Sequence, residues 1–216
     1  MKKLLVSLAA MLAVTAAFAM PTYFGGTGGL LLENGKVAEK LTIHSYFYQD
    51  KTLVFPNVQL TVPVAALTEK ESALDNLEIS AAYQNHKNSG NFTAVGAKYV
   101  LPLEVEDLSA AIGGTYVDRG EKTIYASGTY NVADFGVDLT AQAAYGFRSK
   151  NPYLNIGVEK DFEMLSVGVE YLNYAASFDA YVTSDKVFEG LEVTAGLVNI
   201  GKKRSAKFVA GIGYAF

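Results

Sequence analysis

The sequence predicts an all-β chain closing on itself as an antiparallel transmembrane barrel of about 12 strands, and three observations predict it. Successive runs from Lys40 to Phe216 alternate apolar with small or polar residues and are cut by polar turns. One face of these runs is apolar, with no charge away from the run ends. The closing run, AKFVAGIGYAF, puts Phe208, Ala210, Ile212, Tyr214 and Phe216 on one face and Lys207, Val209, Gly211, Gly213 and Ala215 on the other. A soluble sandwich strand alternates too, but has no reason to end the chain on its large outward face.

The first residues supply the compartment. Met1-Lys2-Lys3 is a basic head, Leu4 to Ala17 an apolar run of signal-peptide length, and Ala17-Phe18-Ala19 a small-x-small cleavage site. Residues 1–19 are therefore expected to be removed. The chain has no Cys, so an exported protein must hold together without disulfides. Half of its residues are hydrophobic, yet no later segment has the roughly 18 consecutive apolar residues of a membrane helix. A membrane crossing must use strands. A net charge of −4 argues against nucleic acid as a partner.

Residues 20–38 do not alternate and are loosened by Gly25, Gly26, Gly28 and Gly29. They form an N-terminal segment that either tucks into the barrel mouth as a plug or lies at its rim. They lack the preceding strand and following Lys-Ser/Thr of a phosphate-binding loop. The barrel itself is expected over 39–216. Its runs fall at 40–49, 55–66, 77–85, 92–101, 108–118, 122–132, 137–147, 152–160, 165–173, 177–184, 191–200 and 206–216. Pro56 and Pro63 lack a ladder donor, which confines them to strand ends, edges or bulges. An even strand number lets antiparallel hairpins close. Alternate turns share a phrase, an acid shortly before an aliphatic or aromatic residue that launches a strand, as in Asp75-Asn76-Leu77, Asp107-Leu108 and Asp134-Phe135. Its spacing of roughly thirty residues is that of a hairpin with two turns.

The terminal Gly211-Ile212-Gly213-Tyr214-Ala215-Phe216 resembles that of bacterial outer-membrane β-barrel proteins. The resemblance implies an outer-membrane location and recognition of Tyr214 and Phe216 by the assembly machinery. Together with the Met20-Pro21-Thr22 start and the acid-before-apolar turns, it is similar to the YjbH-like proteins, although their Pro-Thr-Gly start is missing. That similarity implies a link to exopolysaccharide production. With the last strand ending at the periplasm, parity puts the acidic turns, such as those with Asp75, Glu106, Asp134 and Glu163, on the periplasmic side. The opposite turns carry Lys51, Lys87, Arg119, Arg148, Lys150, Lys202, Lys203 and Arg204. Of these, Arg119, Arg148, Lys150, Lys202, Lys203 and Arg204 are candidates to face lipopolysaccharide phosphates.

Candidates for the outward face include Ile79, Tyr83, Val95, Ile112, Leu139, Ile156 and Val169, and no charged residue is among them. A charge there would cost on the order of 2–4 kcal/mol near the midplane. The inward face is polar and mostly small, with Lys98, Glu159, Glu170, Asp179, Glu192 and Lys207 as candidate pore-lining residues. These charges make either an interior ion-pair network or a selectivity-setting constriction. The only histidines are His44 and His86, and His44 and Ser45 point to opposite faces, so no nucleophile–base pair forms. Catalytic residues, cofactors and metal ligands are not expected. Two functional readings remain: a passive, porin-like channel for ions or small solutes, or a non-conducting structural or envelope-assembly barrel linked to exopolysaccharide export.

Overall fold

The computed structural model describes residues 32–50, 53–68, 74–86, 90–118, 120–173, 176–201 and 206–216. The expected signal peptide over 1–19 and the glycines at 25, 26, 28 and 29 lie outside them. Twelve antiparallel strands form one closed barrel: β1 (Thr42–Asp50), β2 (Leu53–Pro63), β3 (Leu77–His86), β4 (Gly90–Leu101), β5 (Leu108–Val117), β6 (Lys122–Val132), β7 (Val137–Gly146), β8 (Asn151–Asp161), β9 (Ser166–Leu172), β10 (Ser177–Phe188), β11 (Leu191–Ile200) and β12 (Lys207–Ala215). Each strand pairs with its sequence neighbours. Closure is made by β1 on β12, from Thr42 opposite Ala215 to Tyr48 opposite Val209. No edge is left to template aggregation.

The expected runs match these strands, with two corrections. β2 ends at Pro63 rather than 66 and passes into a 3-10 turn, Val64–Leu67, because Pro63 cannot donate to the ladder. β10 continues to Phe188 rather than 184, across an irregular register between Ser184 and Phe188. Pro56 sits inside β2, where the strand has a neighbour only on the β1 side: the β2–β3 ladder begins at Asn57 opposite Gln84. Its missing N–H therefore costs no ladder bond with β3.

Alternation sets the two faces. Val95, Ile112, Ile124, Leu154, Ile156, Phe208 and Ile212 are each about half exposed outside, while Ala94, Ala111, Leu172 and Val209 are buried inside. An outer wall of exposed aliphatic and aromatic side chains on every strand is an unfavourable surface in water and a favourable one in lipid.

The inner wall is less uniformly small than expected. Tyr46, Tyr125, Tyr181 and His44 all point inward and are buried, each directly across from a glycine on the adjoining strand. The rings lie flat over the gaps these glycines leave. A Cβ added at Gly168 would stand 2.1 Å from Tyr181 Cζ, at Gly211 2.6 Å from Tyr46 Cδ1, at Gly113 2.5 Å from Tyr125 Cζ, and at Gly213 2.0 Å from His44 Nε2. Ring and glycine interlock at four places on three strand pairs, twice between β1 and β12, and fix the register there.

Candidate functional site

The lumen is crossed by chain preceding β1. Leu32 and Glu33 are 2% and 5% exposed, and the segment from Leu32 to Ala38 is bonded to one half of the wall. The Gly35 N–H donates to Thr129 Oγ1 at 3.0 Å, the Ser127 hydroxyl donates to the Asn34 carbonyl at 2.9 Å, and the Ala38 N–H donates to Glu78 Oε2 at 2.8 Å. Only glycine fits at position 35, since a Cβ would lie 2.4 Å from the Ser109 carbonyl oxygen. Leu32 packs on Gly157, where a Cβ would lie 2.6 Å from Leu32 Cδ2. These contacts make residues 32–38 a strap across the inside of β3 to β8.

Two ion pairs tie the strap electrostatically. Lys98, 2% exposed, lies 3.4 Å from Glu33 Oε2 and 3.5 Å from Glu78 Oε1, its direct cross-strand neighbour. Lys36 pairs with Asp138 on β7, whose other oxygen accepts from Asn131 Nδ2 at 2.6 Å. A buried ammonium between two carboxylates is the arrangement that makes a low-dielectric charge tolerable.

The remaining candidate lining residues divide by position. Glu159 on β8 is half-buried, level with Asp138, and accepts the Tyr181 hydroxyl at 2.5 Å. Glu170 and Asp179, at 2% and 0% exposure, stand opposite each other on β9 and β10. Asp179 is held from the next strand. An extra residue in β11 shifts the register between Phe178 and Ala180, Asn199 takes φ 60°, and its N–H donates to Asp179 Oδ1 at 2.6 Å. The structure thus gathers Asp138, Glu159, Glu170 and Asp179 on one wall. Glu192 stands apart on β11, 3.0 Å from His44 Nε2. Lys207 is half-buried near the other end of β12. A cavity of about 20 Å³ lies between the strap and the acidic wall, lined by Leu32, Asn34, Asp138, Glu159 and Glu170. That is room for about one water.

Sequence reading missed Glu33 and Lys36; alternation puts Glu78 and Asp138 on the inward face, but they were not among the candidate lining residues. Glu33-Asn34-Gly35-Lys36 is a polar interruption directly after Leu30-Leu31-Leu32, and that was the available signal.

At the basic rim, Arg148 and Lys150 are exposed in the turn between β7 and β8. That turn is stapled by Glu121, which accepts the Arg148 N–H at 2.6 Å and the Ser149 N–H at 3.0 Å. Slight burial raises the Glu121 carboxyl's pKa, but these hydrogen bonds outweigh it and hold the group below its usual range. Arg119, Lys202, Lys203 and Arg204 lie outside the described residues. Tyr214 and Phe216 point outward at the opposite rim with their rings 5.0 Å apart, and the Phe216 N–H donates to the Leu41 carbonyl at 3.0 Å. The His86 side chain also lies outside the described set.

The fold and faces together define a transmembrane β-barrel with the fold of outer-membrane porins. Among solved structures, the chain is similar to the KdgM porin in complex with disordered oligogalacturonate (16% identity, 81% of this chain and 99% of that one, TM-score 0.60). It is also similar to the outer-membrane protein Omp33 of Acinetobacter baumannii (12% identity, 82% and 98%, TM-score 0.55) and to the NanC porin (9%, 82% and 98%, TM-score 0.52). These likenesses are likenesses of fold. No protein-family model and no curated protein matches the sequence.

Proposed function

We propose that the protein is a passive channel for ions or small solutes in a bacterial outer membrane, with residues 32–38 constricting its lumen. One observation carries the reading: an apolar lipid-facing wall encloses a lumen lined by charged and polar side chains. A barrel serving only as a structural wall gains nothing from burying this much charge, which is costly to desolvate. Likeness to the porin fold supports the same reading. Lys98, Glu159, Glu170, Asp179, Glu192 and Lys207 would line or flank the path. On this reading Arg148 and Lys150, with Arg119, Lys202, Lys203 and Arg204, face lipopolysaccharide, while Tyr214 and Phe216 carry the assembly signal.

The test is single-channel recording of the purified mature protein in planar bilayers, beside a variant lacking Met20–Ala38. The intact protein is expected to give reproducible steps and the deletion larger ones. Steps in the deletion alone would make the strap a full plug. Silence from both, with heat-modifiable gel migration showing folded barrels, would overturn the channel.

A further inference from the structure

We propose that this channel selects cations, that the wall of β7 to β10 is the track that does so, and that the Lys36 ammonium occupies that track as a resident cation. The inference rests on the channel reading. It begins with the distribution of charge. Asp138 and Glu159 face each other on β7 and β8, and Glu170 and Asp179 face each other on β9 and β10. Glu170 is opposite Gly157, two residues along β8 from Glu159, so the pairs are about 7 Å apart along the strand. Among the described side chains, no lysine or arginine stands on the lumen face of these four strands.

Cations elsewhere in the lumen do not balance this wall. Lys98 is already shared between Glu33 and Glu78, two carboxylates for one ammonium. Glu192 has only His44 beside it among the ion pairs of the described residues. Lys207 stands on β12, and Lys40, exposed at the barrel mouth, lines a pocket with Glu192 that also holds Glu39 and Asp185. Among the described residues the lumen therefore carries excess negative charge, concentrated on one side.

Two further observations favour a positive ligand on this wall. The chain's own Lys36 reaches across from the strap to Asp138, so an alkylammonium is bound there. At the other end of the track Asp179 is fully buried, and its Oδ2 has no hydrogen-bond partner among the described residues, while Oδ1 is fixed by the Asn199 N–H. A fixed carboxylate oxygen with nothing donating to it is half of a cation contact. The KdgM structure of similar fold holds oligogalacturonate, a polyanion, whereas this wall would repel one.

Reversal potentials of the intact mature protein in a potassium chloride gradient test this, with spermidine and oligogalacturonate as probes of block. The expected sign is cation preference, with block by spermidine and none by oligogalacturonate. Asp138→Asn, Glu170→Gln and Asp179→Asn keep side-chain shape, and each is expected to lower the potassium-to-chloride permeability ratio by about twofold to fourfold. Lys36→Ala should raise it. The preference should shrink toward parity between 0.1 M and 1 M salt, as the screening length falls from about 10 Å to about 3 Å. Steps with anion preference or no preference would overturn selectivity and leave the channel standing. Cation preference unchanged in all three carboxylate variants would overturn this wall as its source. Silence from folded protein would overturn the channel and this inference with it.

Discussion

Tyr181 shows how a single pair of residues holds the barrel wall. Its ring fills the space over Gly168 while its hydroxyl reaches Glu159 on the strand beyond, so one side chain bridges β8, β9 and β10. Gly168→Ala puts a methyl where the ring lies and is expected to cost about 1–3 kcal/mol, read as a lower unfolding temperature of the heat-modifiable gel band. Gly128→Ala is the control. It faces outward, its nearest contact would be an ordinary 3.8 Å to the Ser109 carbonyl, and the same methyl should be neutral there. Equal losses at both sites would show that backbone freedom, not interlocking, decides the effect. These pairs were half legible in the sequence. Alternation alone puts Gly113, Gly168, Gly211 and Gly213 inward, but a ring is matched to a glycine only through cross-strand register. Tyr125 and Gly113 are separated by a turn whose length must be known to the residue.

Among elements, the strands were far more legible than the strap. A strand in a lipid-facing barrel repeats one rule along its length, apolar outward and small or polar inward, so Leu154-Asn155-Ile156-Gly157-Val158 announces itself. The strap has no period, because its side chains meet a different strand at each step: Glu33 meets β4, Asn34 and Gly35 meet β6, and Lys36 meets β7. Only the closed barrel brings those partners to one place. Lys98 is the anchor that most depends on this convergence. Lys98→Met leaves Glu33 and Glu78 buried without their shared cation, a loss expected to be about 3–5 kcal/mol if the strap stays in place. Releasing the strap is the cheaper response, since Glu33 then reaches water. Trypsin should therefore cut after Lys36 faster in Lys98→Met than in the unmodified protein, with the barrel band intact on gels. Unchanged cleavage would show that the backbone bonds from Thr129 and Glu78 hold the strap without the ion pair.

For the whole molecule, the two faces of the wall are two solvents, and the same substitution tests both. Ile156 is near the middle of β8 and half exposed outside; Thr140 is near the same level on β7, half-buried inside beside the acidic wall. If the outer face meets hydrocarbon, Ile156→Lys must bring an ammonium into the midplane and is expected to cost about 2–4 kcal/mol. Thr140→Lys adds the same charge to a lumen with excess carboxylates and should cost less than about 1 kcal/mol, the attraction offsetting the crowding. The measurement is the urea midpoint of refolding into phospholipid vesicles for both variants. A soluble barrel inverts the order, because an exposed lysine is harmless in water while one forced inside must find room. Should Ile156→Lys prove neutral and Thr140→Lys damaging, the lipid-facing assignment of the outer wall falls, and the channel proposal falls with it.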